Sequence, residues 1–184
     1  GGGPGGLYAA ILMKKADPRR TITVYERNRP DDTFGFGVVF SDETLENIQN
    51  ADPESFDTIA KAFVYWGEID IHVRGQTIRS DGHGFCGMER KKLLLILQER
   101  ARELGVALKF ETDIPELSVL PKSDLIIAAD GINSGIRTRY ADHFKPSFDW
   151  RKNKFAWLGS TQSFPAFTFT FKENEHGVWI LGTY

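Results

Sequence analysis

Three glycines at the start of the chain, Gly1, Gly3 and Gly6, have the spacing of a loop that holds a dinucleotide. The first allows a tight turn, the second lets backbone approach a pyrophosphate without an intervening Cβ, and the third lets a helix pack closely on a sheet. The helix that follows would present free N–H groups and the positive end of its dipole to the phosphates. The spacing predicts a nucleotide cradle, although tags and linkers are also glycine-rich.

An acidic residue, Glu26, ends the next predicted strand, 20 residues after Gly6. A carboxylate that accepts hydrogen bonds from an adenosine ribose is expected at this distance. Arg27, beside it, is a further candidate contact of the nucleotide. The alternative for Glu26 is a solvated charge at a strand end. Because the glycine pattern normally follows a strand and none precedes Gly1, we expect the sequence to be part of a longer polypeptide.

A second candidate site, residues 129–137 with the sequence ADGINSGIR, follows an apolar segment. Gly131 would allow close backbone approach, and Arg137 would hold the strand end or contact a phosphate. The alternative is an ordinary Asp-Gly turn, Asp130 followed by Gly131, that is capped by Ser134.

These residues carry a family resemblance. Asp130, Gly131, Ser134 and Arg137 match all four positions of the Asp-Gly motif of single-component FAD-dependent aromatic hydroxylases. Arg90, at the start of a leucine-rich helix, is similar in placement to an arginine of that family that reaches FAD. Segments 28–42 and 82–90 resemble the branch that acts on aromatic acyl-CoA thioesters, such as salicylyl-CoA and 2-aminobenzoyl-CoA.

The resemblance implies an FAD-dependent monooxygenase that uses NAD(P)H and O2 to hydroxylate an aromatic substrate through a flavin C4a-hydroperoxide. It implies that the Asp-Gly motif serves the FAD pyrophosphate and the reduced nicotinamide cofactor, and that Gly35 and Gly37 let backbone pass close to the isoalloxazine. In the alternative, Gly35 and Gly37 mark a flexible turn, and Arg90 is a basic side chain that faces solvent. Lys91 and Lys92 are further candidates for the position that reaches FAD. The family's later Gly-Asp segment and most of its substrate sheet are not in this sequence.

No catalytic side chain is expected, because the cofactor would carry the difficult chemistry. The four histidines form no close-spaced pair of metal ligands, and the single cysteine, Cys86, is interpreted as structural. His83 lies between two glycines, so it is either an ordinary loop residue or a neighbour of flavin or substrate.

The pattern of the rest predicts an α/β fold: a Rossmann-like FAD-binding domain with a parallel sheet, followed by the first strands of a mainly antiparallel substrate sheet. The predicted domains are 1–150 and 151–184. Helices are expected at 5–16, 41–50, 53–66 and 89–104, and strands or hairpins at 21–25, 68–80, 106–111, 124–129, 155–159, 168–172 and 178–184.

A formal net charge of −2 argues against a nucleic-acid partner, and no apolar run is long enough to span a bilayer. A cytoplasmic protein, with a small aromatic substrate as its partner and a homo-oligomer as a further option, is expected. The main alternative is a nucleotide- or FAD-binding module without oxygenase activity. An NAD-dependent dehydrogenase is disfavoured, since it would have no use for the Asp-Gly motif.

Overall fold

The computed structural model describes all residues, Gly1–Tyr184. Its helices are α1 (Pro4–Ala16), α2 (Asp42–Ala51), α3 (Pro53–Ala60), α4 (Arg90–Glu103), α5 (Gly135–Arg139) and α6 (Ala141–Phe144). Its strands are β1 (Thr23–Tyr25), β2 (Gly37–Ser41), β3 (Val64–Trp66), β4 (Ile69–Val73), β5 (Gln76–Ser80), β6 (Phe85–Glu89), β7 (Ala107–Lys109), β8 (Phe167–Asn174) and β9 (Gly177–Thr183). A short 3-10 turn covers Leu117–Val119.

The chain folds into two compact units, each built from two segments. The first contains Gly1–Phe34 and Lys91–Trp157, and the second contains Gly35–Arg90 and Leu158–Tyr184. The predicted α/β class, with a parallel sheet and antiparallel strands, is confirmed. The division at residue 150 into an FAD-binding and a substrate domain concerns function, and it stays a prediction.

In the first unit, β1 and β7 form a parallel pair in which Thr23 lies opposite Ala107. The helix α1 buries one apolar stripe, Leu7, Ala10 and Ile11, because these residues recur at helical spacing. Pro4 occupies its first turn, where a missing N–H costs nothing. The glycine-rich turn therefore leads into a helix whose apolar face is buried.

The helix α4 has a defined C-terminal stop. The N–H of Val106 donates to the carbonyl of Ala101 at 2.9 Å, and the N–H of Gly105 donates to that of Arg102 at 2.8 Å. Gly105 adopts φ +81°, a conformation that a glycine reaches without steric cost. These are the two hydrogen bonds of a Schellman motif, and they release the chain directly into β7.

The second unit holds two sheets. One has the order β2-β6-β3 and is antiparallel; the other has the order β5-β4-β8-β9, with β4 and β8 parallel and the remaining pairs antiparallel. The segment 68–80 forms the hairpin β4–β5, and its turn is made by Arg74 and Gly75, both with positive φ. The ring of Phe167 contacts those of Phe85 and Trp66, with centroids 5.2 Å and 6.3 Å apart, so aromatic packing joins the two sheets.

Three secondary-structure predictions were wrong. The helix from Pro53 ends at Ala60 rather than Trp66, because residues 64–66 pair with β6 and bury Trp66. Residues 124–129 and 155–159 form no strand, since no other segment of the chain pairs with them. Their apolar side chains are consequently exposed, as at Leu125 and Phe155. No helix has both the length and the apolar character that crossing a membrane requires.

Candidate nucleotide-binding site

The glycine-rich turn is packed so closely that neither Gly1 nor Gly6 has room for a side chain. A Cβ on Gly1 would lie 2.0 Å from the carbonyl oxygen of Ala129, and a Cβ on Gly6 would lie 2.0 Å from the carbonyl oxygen of Gly1. Both distances are far below any real contact of a Cβ atom. The turn at the start of the chain and the segment that opens the Asp-Gly motif are therefore in direct contact.

Gly3 has a different environment from Gly1 and Gly6. It is the N-cap of α1, and no atom lies within 4 Å of the position that a Cβ would occupy. The first turn of α1 beyond Pro4 carries the backbone N–H groups of Gly5 and Gly6, which point toward the helix N-terminus. Open space beside backbone donors at a helix N-terminus is the arrangement that phosphate oxygens need.

The Glu26 carboxylate lies beside this turn. Its Oε2 accepts a hydrogen bond from the backbone N–H of Gly2 at 2.7 Å, and its Oε1 accepts two from Asn28. Glu26 therefore ties the end of β1 to the glycine-rich turn. Arg27, the next residue, is exposed to solvent.

The Asp-Gly motif folds around the Asp130 carboxylate. The Ser134 hydroxyl donates to Asp130 Oδ1 at 2.6 Å, and the N–H of Ile136 donates to Oδ2 at 3.3 Å. Ser134 also caps α5 by accepting from the N–H of Arg137 at 3.0 Å. Burial alone would raise the pKa of Asp130, but the hydrogen bond from Ser134 and those from backbone N–H groups outweigh it and lower the pKa.

Arg137 borders a cavity beside this motif. The cavity has a volume of about 390 Å³, and Asp130, Gly131 and Ser134 are among its other lining residues. Arg137 donates to the carbonyl of Ile132 at 2.6 Å, and its guanidinium lies 5.0 Å from the ring centre of Phe148. Its Nε is buried without a hydrogen-bond partner, so one strong donor of the motif remains available.

The remaining predicted residues belong to the second unit. Gly35 has φ +86°, which a glycine adopts freely. A Cβ on Gly37 would lie 2.5 Å from the ring of Tyr184, so that ring fills the space beside this glycine. Arg90 donates its backbone N–H to the carbonyl of Phe36 at 2.9 Å, and its Nε is buried without a partner.

Most of the predicted residues lie within the first unit: Gly1, Gly3, Gly6, Glu26, Arg27, Asp130, Gly131, Ser134 and Arg137. Gly35, Gly37 and Arg90 lie in the second unit. The sequence analysis missed Asn28, whose position two residues after Glu26 was its only signal. It also missed Phe148, which no local pattern connects with Arg137.

The chain was compared with known proteins. No protein-family model matches it. It is 44% identical over 184 residues to "Salicyloyl-CoA 5-hydroxylase" of a Streptomyces species, covering 100% of this chain and 36% of that protein. It is 28% identical over 190 residues to "Protodeoxyviolaceinate monooxygenase" of Chromobacterium violaceum, covering 50% of that protein. The chain is homologous to these monooxygenases.

A third relative, "3-hydroxy-4-methyl-anthranilyl-[aryl-carrier protein] 5-monooxygenase" of Streptosporangium sibiricum, is 28% identical over 184 residues. This chain spans about a third to about half of the length of its curated relatives: it covers 36% of the first relative and 52% of the third. The predicted resemblance to aromatic hydroxylases is confirmed by these relatives.

Solved structures show the same fold. The chain is similar to 2-methyl-3-hydroxypyridine-5-carboxylic acid oxygenase, with a TM-score of 0.63 and 23% identity, over 73% of this chain and 38% of that one. It is also similar to P. aeruginosa PqsL in complex with 2-aminobenzoylacetate, with a TM-score of 0.64 and 18% identity, over 84% of this chain and 46% of that one.

Proposed function

We propose that this chain forms the FAD-binding part of a monooxygenase that hydroxylates an aromatic substrate with NAD(P)H and O2. The observation that carries the proposal is the contact between the glycine-rich turn and the Asp-Gly segment, two motifs separated by more than a hundred residues. Neither motif alone is specific, but their contact fits the resemblance to aromatic hydroxylases, which implies that both motifs serve the same FAD.

The residues present fit the adenosine diphosphate half of FAD. The open face of Gly3 and the N-terminal amides of α1 would hold the pyrophosphate, and Glu26 would accept a ribose hydroxyl. Gly131, with nothing within 4 Å of a Cβ position, would leave room for ligand beside the Asp-Gly motif. The unpartnered Nε of Arg137 would donate to a phosphate or a flavin oxygen. The assignment of Arg90 to FAD remains an expectation from the sequence.

This fit separates the role of the cofactor from the role of the protein. Bound FAD would supply the redox chemistry, taking electrons from NAD(P)H and activating O2 so that one oxygen atom enters the ring and the other leaves as water. The chain's own residues would bind and orient the cofactor. No side chain of this chain is assigned a proton-transfer role.

We infer that the substrate is an aromatic acyl-CoA thioester. The support is the 44% identity to a relative named for salicyloyl-CoA, and a third relative's name also specifies an aromatic acyl group on a carrier. The choice of NADH or NADPH, a homo-oligomeric state and a cytoplasmic location remain expectations from the sequence. A solved relative in fold is described as tetrameric.

The test is an FAD titration of a purified polypeptide that contains this chain and spans the length of its curated relatives, followed by NADH or NADPH oxidation with and without salicyloyl-CoA. We expect the flavin fluorescence to be quenched on binding and the thioester to accelerate cofactor oxidation. If FAD binds but the thioester changes nothing, the chain is an FAD-binding module without oxygenase activity. If no FAD binds, the cofactor assignment is wrong.

A further inference from the structure

We propose that Asn28 is a positioning residue: it fixes the Glu26 carboxylate so that Oε2 is left to receive one ribose hydroxyl of FAD. This inference rests on the proposed function, since it assumes that the glycine-rich turn takes the adenosine diphosphate half of that cofactor. It goes beyond the proposed function by assigning a task to Asn28 and by limiting Glu26 to a single acceptor site.

The hydrogen bonds that the Glu26 carboxylate already accepts limit what it can accept from a ligand. A carboxylate offers about four lone-pair sites, two on each oxygen. The backbone N–H of Asn28 reaches Oε1 at 2.9 Å, and its side-chain Nδ2 reaches the same oxygen at 2.7 Å, so Oε1 is fully used. Oε2 receives the N–H of Gly2 at 2.7 Å and keeps one site. One hydroxyl, not two, would therefore be accepted.

Asn28 is itself held in place by a backbone hydrogen bond. Its carbonyl accepts from the N–H of Glu111 at 3.1 Å, just past the end of β7. The backbone of Glu26 is held at the same strand end, donating to Lys109 at 2.8 Å and accepting from Thr112 at 2.9 Å. Donor and acceptor are thus both fixed by the parallel pair β1–β7, and Asn28 is in place before any ligand arrives.

The Glu26 side chain and the glycine-rich turn are closely packed. A Cβ on Gly2 would lie 2.9 Å from the Cβ of Glu26, so only a glycine lets the two segments come this close. A glutamate side chain in solvent loses rotamer freedom when it binds a ligand. Here the hydrogen bonds from Gly2 and Asn28 have already removed that freedom, which favours binding through preorganisation.

The experiment compares two probes, ADP and 2′,3′-dideoxy-ADP, by isothermal titration calorimetry on the chain. The probes differ only in the two ribose hydroxyls, one of which Glu26 would accept. Because a hydrogen bond to a charged group is strong, we expect the unsubstituted chain to prefer ADP by about tenfold or more. Asn28→Ala should reduce this preference to about threefold or less. Asn28→Asp, whose side chain cannot donate and repels the Glu26 carboxylate, should abolish it.

The control is Asn174→Ala, the same substitution in the β8–β9 hairpin, where Asn174 Oδ1 accepts from His176 and Trp179. It should leave the preference unchanged. A variant that folds poorly weakens both probes together and does not alter their ratio. If Asn28→Ala and Asn28→Asp retain the full preference for ADP, the inference is overturned. If the unsubstituted chain binds neither probe nor FAD, the proposed function fails first, and the inference fails with it.

Discussion

At the scale of single residues, the candidate site depends on carboxylates whose oxygens are already engaged. Glu26 and Asp130 each accept hydrogen bonds from backbone N–H groups and from a neighbouring side chain. Such contacts hold the loops that carry the glycines, so the two acids have a structural task whether or not a cofactor is bound. Their substitution should therefore be visible in stability as well as in binding.

Asp130→Asn tests this for the Asp-Gly motif. Because hydrogen bonds lower the pKa of Asp130 in the folded chain, its contribution to stability is complete above its usual pKa and is lost as the pH falls through the lowered value. We expect the variant to be less stable by about 1 kcal/mol at neutral pH, since the site is only partly shielded from solvent. The difference should shrink as the pH falls below about 4.

The measurement is urea unfolding of both chains at several pH values. Asp124→Asn, at an exposed position, is the matched control and should not change stability at any of them. A deficit in Asp130→Asn that stays constant down to low pH would show that lost packing, not the lost charge, is responsible.

At the scale of elements, the residues at the helix ends determine where the chain turns and where the next element begins. The helix α1 starts at the glycine-rich turn, and α4 stops at a Schellman motif that leads into β7. Both ends place backbone where a side chain would interfere, by collision at Gly6 and by a positive φ at Gly105. Substitutions at these ends should separate stability from ligand binding.

The glycine-rich turn should respond differently at each position. In Gly6→Ala the added Cβ meets the carbonyl of Gly1, so we expect a lower melting temperature. In Gly3→Ala the Cβ enters open space, so the fold should keep its melting temperature while FAD affinity drops at least about tenfold, because the Cβ blocks the pyrophosphate. Thermal unfolding and FAD titration measure the two effects.

Gly67→Ala is the control, since Gly67 lies outside the glycine-rich turn, has no positive φ, and has no atom nearer than 4.0 Å to its Cβ position. It should affect neither quantity strongly. Unchanged FAD binding in Gly3→Ala would place the pyrophosphate elsewhere.

Gly105→Ala should destabilise the chain by about 1 kcal/mol, because an alanine pays a steric cost in the left-handed conformation that this position requires. Chemical denaturation is the appropriate measurement. Gly67→Ala serves for comparison, since Gly67 lacks a positive φ and its nearest neighbour to a Cβ is 4.0 Å away. Equal effects at the two positions would contradict the argument from backbone conformation.

At the scale of the whole molecule, a large apolar area faces solvent. Four consecutive residues of the edge strand β9, from Val178 to Leu181, are each more than half exposed, with Val178 at 65%. An open sheet edge of this kind is a template for pairing with another chain.

We therefore expect the chain to self-associate as its concentration rises, and Ile180→Lys to suppress this by adding a charge to the edge. Sedimentation velocity over a range of concentrations measures the association. Ile78→Lys, at an exposed position on the opposite edge strand β5, tests whether the effect belongs to β9. Equal suppression by both variants would point to net charge instead of this edge.

Several features of the fold were readable from the sequence alone because their causes are local. The stripe of α1, the Ser41 cap of α2, Pro53 at the start of α3, the Arg74–Gly75 turn and the stop at Gly105 each depend on residues within a few positions. The motif residues of the candidate site were likewise identified by type and spacing. Local sequence carries this information because helix caps and tight turns are satisfied by neighbours along the chain.

The tertiary structure decided what depends on distant partners. Residues 64–66 became a strand because they pair with β6. The apolar residues 124–129 form no strand because no other segment of the chain pairs with them. Asn28 acquired its task only where Glu26 meets Gly2, and the ring of Tyr184 occupies the space beside Gly37. Strand pairing and side-chain contacts of this kind require two segments far apart in sequence to meet, and no local pattern of residues specifies which segment will arrive.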